Sequence, residues 1–137
     1  MPTYHTDEIS FEIPDGFVDR SMTVLAPEGE PAISLVITRD PRTEEPLPEQ
    51  VSKIVQAITK QIPNTKLLGQ REREVGGLRG RELRATTAGK VPTYARQVFV
   101  DYYGSLLTLT ITVKRAHQAF CDRTAESILT SLKFRKR

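Results

Sequence analysis

Apolar and polar residues alternate along most of this chain, and the period of the alternation changes at two places. Ile33, Leu35 and Ile37 fall on one parity and Ser34, Val36 and Thr38 on the other. Successive side chains of a strand point to opposite faces, so 32–38 is predicted as a strand with one aliphatic face and one half-apolar face. Before it, residues 10–13 alternate toward Pro14-Asp15-Gly16, whose glycine can take a positive φ, and the chain resumes as a strand over 21–26. The segment Pro27-Glu28-Gly29-Glu30-Pro31 ends that strand.

After the polar, proline-bearing stretch 40–48 the period lengthens. Val51, Ile54, Val55, Ile58 and Ile62 recur at the spacing of one helical stripe, and Pro63 stops the helix. Val51, Val55 and Ile62 are expected to seat this helix on a sheet. Ile54 lies at the edge of the stripe, where it can face a groove or flank the core.

Four further strands are predicted over 66–75, 78–85, 93–100 and 105–113. Gly76-Gly77, Ala88-Gly89-Lys90 and Tyr103-Gly104 mark the turns of an antiparallel meander. A last helix, 117–132, carries Cys121, Ala125, Ile128, Leu129 and Leu132 on one face. The order β-β-β-α-β-β-β-β-α predicts an α+β fold in one domain, 1–137: an antiparallel sheet packed with two main helices. No internal repeat or dividing linker interrupts it.

Composition narrows the function classes. A chain of 137 residues with 38% hydrophobic and 27% charged residues has the make-up of an ordinary globular domain. No basic region followed by an apolar run opens the chain, and no stretch approaches the roughly 20 apolar residues that span a bilayer, so a cytoplasmic, non-membrane protein is expected. The net charge of +3 draws on Arg71, Arg73, Arg79, Arg81, Arg84, Lys133, Arg135, Lys136 and Arg137. Glu72, Glu74 and Glu82 stand among those arginines, so a solvated strand face is expected in preference to a phosphate track. RNA binding is kept as a minor class whose mark is steep salt dependence.

Inventory argues against catalysis and metals. His5 and His117 are the two histidines and Cys121 the one cysteine, short of a four-ligand zinc set. Cys121 falls on the apolar stripe of its helix, where a thiol is core and not nucleophile. Gly76-Gly77-Leu78-Arg79-Gly80 has neither the spacing nor the helix of a phosphate loop. No catalytic residue, metal or cofactor is therefore expected.

What remains is surface. Ser34, Val36 and Thr38, the neighbouring Met22, Val24 and Ala26, and Ala95, Gln97 and Phe99 form sheet faces that are apolar with sparse polar groups. Such faces fit an apolar ligand that needs a few hydrogen bonds, and they equally fit packing beneath a helix.

Several short segments, in this order, resemble the DcrB-like domain of Eag proteins, the chaperones of type VI secretion effectors. They are Ser10-Phe11-Glu12-Ile13-Pro14-Asp15-Gly16, Asp19-Arg20-Ser21, Ile37-Thr38-Arg39-Asp40, Leu67-Leu68-Gly69-Gln70-Arg71-Glu72, Arg96-Gln97 and Leu106-Leu107-Thr108-Leu109-Thr110. The resemblance covers nearly the whole chain and implies a curved antiparallel sheet with two helices, the DcrB/Mog1/PsbP-like α/β sandwich. It further implies a cytoplasmic homodimer whose concave face grips the N-terminal transmembrane segments of a PAAR-containing secreted effector and brings it indirectly to the spike protein. No enzyme activity, nucleic acid or direct membrane insertion is implied. Carried over by position, the helix-binding residues are Met22, Val24, Ser34, Val36, Ile54, Ile58 and Gln97. In this resemblance a glutamine is expected near Ile54, so its polar contact is either absent here or moved to Gln56 or Gln61. The alternative class is a non-enzymatic cup for a small apolar ligand or another protein.

Overall fold

The computed structural model describes residues 3–5, 10–12, 14–15, 23–25 and 33–134. Within them the chain runs β1 (Thr3–His5), β2 (Ser10–Glu12), β3 (Thr23–Leu25), β4 (Ile33–Pro41), α1 (Leu47–Gln61), β5 (Thr65–Val75), β6 (Leu78–Thr87), β7 (Thr93–Tyr102), β8 (Ser105–Lys114) and, after a single 3-10 turn, α2 (Gln118–Ser131). Six strands form one curved antiparallel sheet in the order β3-β4-β8-β7-β6-β5. The predicted α+β class is the observed one, with two differences. A strand at 3–5 precedes the first predicted one, and among the described residues β1 and β2 pair only with each other, Tyr4 opposite Phe11, outside the main sheet. β4 also continues to Pro41, because β8 supplies pairing partners as far as Ser105.

The hairpins follow from their turn residues. Val75 pairs with Leu78 across Gly76 and Gly77, both at positive φ, as the tightest hairpin turn requires. A side chain on Gly76 would also meet the Phe134 ring at 2.7 Å. Tyr102 pairs with Ser105 across Tyr103 and Gly104, again both at positive φ.

The register sorts every side chain of the sheet onto one of two faces. Ile33, Leu35 and Ile37 lie in rows with Val113, Ile111 and Leu109, and these rows continue through Tyr94, Arg96 and Val98. α2 covers that face, packing Cys121, Ala125 and Leu129 onto Tyr94, Val98, Val100, Leu109, Ile111 and Val113. The opposite face carries Ser34, Val36 and Thr38, Thr108, Thr110 and Thr112, Ala95, Gln97 and Phe99, and Leu83 and Ala85. α1 covers only one end of it, seating Leu47 and Val51 on Leu83, Phe99 and Leu106.

α1 starts without a side-chain cap, at Pro46. The chain before it is instead tied by Gln50, whose amide nitrogen donates to Pro41 O at 3.1 Å and whose Oε1 accepts from Thr43 N at 3.3 Å and from Arg42. The helix ends as the sequence predicts, with Ile62 in an extended conformation before Pro63. No helix among the described residues is long and apolar enough to cross a membrane.

Candidate functional site

Side-chain size along the uncovered face decides where a space opens. Beneath the first half of α1 the sheet presents Leu83, Phe99 and Leu106, and the gap between helix and sheet is filled. Beneath the second half it presents Ala85, Ala95, Thr87, Thr93 and Thr112, which are too short to reach Ile58 and Ile62. The result is a groove of about 290 Å³ walled by Val55, Ile58, Thr59 and Ile62 of the helix side and floored by β5 to β8. Leu67 closes its β5 edge next to the bulge between Leu67 and Gly69. Ile62 and Leu67 stand 47% and 40% exposed, an apolar rim left facing water.

Gln97 is the main hydrogen-bonding group of the floor. Its Nε2 donates to Thr110 Oγ1 at 3.0 Å, across the β7–β8 pair. The rest of the lining is aliphatic, methyl or threonine. Threonine suits such a surface because it shows a methyl and a hydroxyl together.

Of the residues singled out from the sequence, Ile58 and Gln97 line the groove together. Ser34 and Val36 do not line it, but they continue its floor: Val36 is opposite Thr110 and Ser34 opposite Thr112. Val24 is the register partner of Val36, one strand further out. Ile54 packs against the Leu47–Val51 cluster, so it flanks the core, while Val55 takes the groove wall. Ile62, expected to seat the helix, is instead its exposed end, because the pre-proline turn carries it off the helical stripe. Met22, the 27–31 segment, Gly16, Asp19-Arg20-Ser21 and Arg135 to Arg137 lie outside the described residues. Val55, Leu67 and the threonines were missed; the signal for them was the run of small β6 to β8 residues opposite an aliphatic helix.

The expectation of a solvated arginine face is corrected on the α2 side. Arg96 is in the row of Ile111 and Leu35, so it points into the covered face, its side chain 5% exposed. Its Nη2 donates to Glu82 Oε2 at 2.6 Å and to Glu126 Oε1 at 2.8 Å. Arg73 spans the same two carboxylates, reaching Glu82 Oε2 at 3.0 Å and Glu126 Oε2 at 2.7 Å, and Arg71 Nε donates to Glu82 Oε1 at 3.1 Å. Burial pushes the Glu82 carboxyl up, but the hydrogen bond and charge of Arg96, with Arg73 and Arg71, outweigh it and hold the group below its ordinary value. Glu126, bonded first by Arg73 and then by Arg96, is lowered to about 2. Tyr94 donates to Asp122 at 2.7 Å, and burial with that bond raises its hydroxyl to about 12. The network pins α2 to β5, β6 and β7. A polar depression of about 460 Å³ beside it is lined by Arg71, Glu82, Arg96, Asp122 and Glu126 of this network together with Gly69, Gln70 and Arg84.

Cys121 is fully buried, its Sγ 3.9 Å from Ile111 O. Burial, and then the Asp122 charge, raise the thiol to about 11, which removes the thiolate that nucleophilic or metal chemistry uses.

With this geometry in hand, three comparisons can be set beside it. The family model described as DcrB matches residues 8–131. Among solved structures, PA94 of Pseudomonas aeruginosa, a protein of unknown function, superposes with a TM-score of 0.85 at 25% identity, over 100% of this chain and 99% of its own. LpqN, involved in cell envelope biogenesis of Mycobacterium tuberculosis, gives 0.59 at 14% identity over 84% of each chain. The cyanobacterial PsbP of Synechocystis sp. PCC 6803 gives 0.51 at 12% identity, over 95% of this chain and 89% of that one. The last two likenesses are of fold alone. No curated protein matches the chain.

Proposed function

This chain belongs to the DcrB family, and from that premise we propose that it is a non-enzymatic chaperone that shields the N-terminal transmembrane helices of a type VI secretion effector before export. The guest is a PAAR-containing effector, held in the cytoplasm and released as it is loaded onto the spike. The observation that carries this reading is the groove beside α1: an apolar trough, open to water, with exposed Ile62 and Leu67 at its rim and one hydrogen-bonding pair, Gln97 and Thr110, on its floor.

The physical problem of such a guest matches that surface. A transmembrane helix satisfies its own backbone, so in water its cost is exposed apolar side chain, at about 25 cal/mol for each Å². A face of valine, isoleucine, alanine and threonine methyls removes that area from water. Gln97 can bond the small polar residues by which membrane helices recognise one another. A helix is about 10–12 Å across with its side chains, more than a groove of about 290 Å³ encloses. One chain therefore offers one wall, along the floor that Val36 and Ser34 extend, and two copies surround the guest, which is why a homodimer belongs to this reading.

The test is co-expression with the N-terminal apolar segments of an effector encoded beside the gene, followed by affinity capture and mass spectrometry. A stoichiometric complex that requires those segments supports the reading. An effector that stays soluble alone, with nothing captured, overturns it. The groove volume, near the lower limit of small-molecule sites, favours one second reading, a cup for a small apolar ligand. Its mark is a molecule of low mass extracted from the purified protein.

A further inference from the structure

The groove has two unlike ends. Its last floor row runs Thr65, Thr87, Thr93 and passes directly into Lys114, the partner of Thr93 on β8. Just beyond, Pro92 O accepts from Arg115 N at 2.9 Å, and Lys90, Val91, Pro92, Lys114, Arg115 and Ala116 line a shallow concavity with Val91 58% exposed. The three segments that meet at this end, 59–67, 85–93 and 112–119, carry Lys60, Lys66, Lys90, Lys114 and Arg115 and no aspartate or glutamate. Among the described residues none of these five cations has a carboxylate within ion-pairing distance. The closed end is different, with both signs present. There Asp40 and Asp101 are the register partners of Leu106, Lys53 and Arg42 pair with Glu45 and Asp101, and Leu47 shares a concavity with Glu72, Glu74, Arg73, Arg79 and Arg81, Arg81 lying 4.0 Å from Glu72.

We propose, resting on the helix-shielding reading, that the groove accepts its apolar guest in one orientation, with an acidic flank of the guest helix against the basic mouth formed by Lys90, Lys114 and Arg115. Charge complementarity carries the choice of occupant. A helix presents about half a negative charge at its C-terminal end, so an acidic flank placed after that end adds to a field the mouth already favours. A lysine-rich flank at the same place meets only like charge. Exposed pairs contribute little singly, so the effect acts on orientation and on the rate of encounter, and it weakens as salt shortens the screening length.

The experiment uses the full chain and a soluble carrier protein bearing an apolar segment of about 20 leucines and alanines, long enough to span a bilayer. In one carrier the segment is followed by three aspartates and in the other by three lysines, and affinity is measured at low and high salt. The expected result is binding of both, with the acidic-flanked segment about tenfold tighter at low salt, a preference that shrinks at high salt. The double variant Lys90→Glu with Lys114→Glu is expected to abolish or invert it, and Lys90→Gln with Lys114→Gln to halve it at least. Both positions are exposed, and an unchanged thermal transition confirms the variants are folded. Equal affinities for the two carriers overturn the orientation while leaving helix shielding in place. Failure of both carriers to bind, at any salt, overturns the two readings together.

Discussion

The two faces of the six-stranded sheet are built from the same strands, yet they are opposite in character. Under α2 the rows are valine, leucine, isoleucine and tyrosine, sealed by Cys121, Ala125 and Leu129 and locked by the Arg96, Arg73, Glu82 and Glu126 network. On the other side the alternate positions are threonine, alanine and glutamine, and a single helix covers only the end where Leu83, Phe99 and Leu106 rise to meet it. Period-two alternation lets one backbone carry a face that holds the fold and a face left available. Beyond the end that α1 seals with Leu83, Phe99 and Leu106, stability and binding should then separate by parity along each strand.

The largest effect expected is on the sealed face. Arg96→Ala leaves Glu82, 3% exposed, without its shortest partner but with Arg73 and Arg71 still bonded, and should cost about 3 kcal/mol in urea denaturation, the low end for breaking a buried ion pair. That is a large part of the stability of a small domain, about 5–15 kcal/mol. A loss under about 1 kcal/mol would remove the distinction between the faces. On the open face Gln97→Ala should cost only about 0.5–1.5 kcal/mol, the value of one hydrogen bond, yet abolish effector capture. Val36→Asp should do the same. Collapse of the thermal transition in either would make these residues core.

Acid sharpens the comparison with a smaller effect. Glu126 is lowered from 4.5 to about 2 in the fold, so below its ordinary value the unfolded chain binds a proton that the folded chain does not. Its contribution is complete above about pH 4.5 and is lost as pH falls from there toward 2. Because the side chain is 45% exposed the slope should be shallow, and Glu126→Gln should flatten it. Capture of a guest without acidic flanks by the groove, which no described carboxylate lines, should show no step of its own over that range. The smallest effect belongs to the rim: Ile62→Ser should change stability by no more than about 0.5 kcal/mol and weaken guest binding a few-fold.

Much of this architecture was legible in the sequence because it is written in local chemistry. The parity of Ile33 to Thr38, the Gly76-Gly77 and Tyr103-Gly104 turns, and the stripe ended by Pro63 each state a rule that needs no partner. The groove was half legible. Gln97 and Ile58 were placed by resemblance and meet on its lining, whereas Ile54 and Ile62 exchanged roles because helical periodicity does not say how far a helix stands from its sheet. That distance is set by Ala85, Ala95 and Thr112, three strands that local reasoning treats separately. The ion network was hidden by its residue types, since arginines among glutamates read as surface. The clue was parity: Arg96 sits between Tyr94 and Val98, both buried, on the inward side of its strand. β2 was read from the alternation over 10–13, whereas β1, three residues long, is too short for any periodicity to show.

The burial of Cys121 has a use beyond packing. A thiol that is fully enclosed and raised to about 11 reacts with an alkylating reagent only during the moments when α2 lifts from the sheet. With a single cysteine in the chain, the labelling rate becomes a stopwatch on that one event. It can be run on the native protein without denaturant, and run again with a guest in place, to ask whether filling one side of the sheet changes how often the other side breathes.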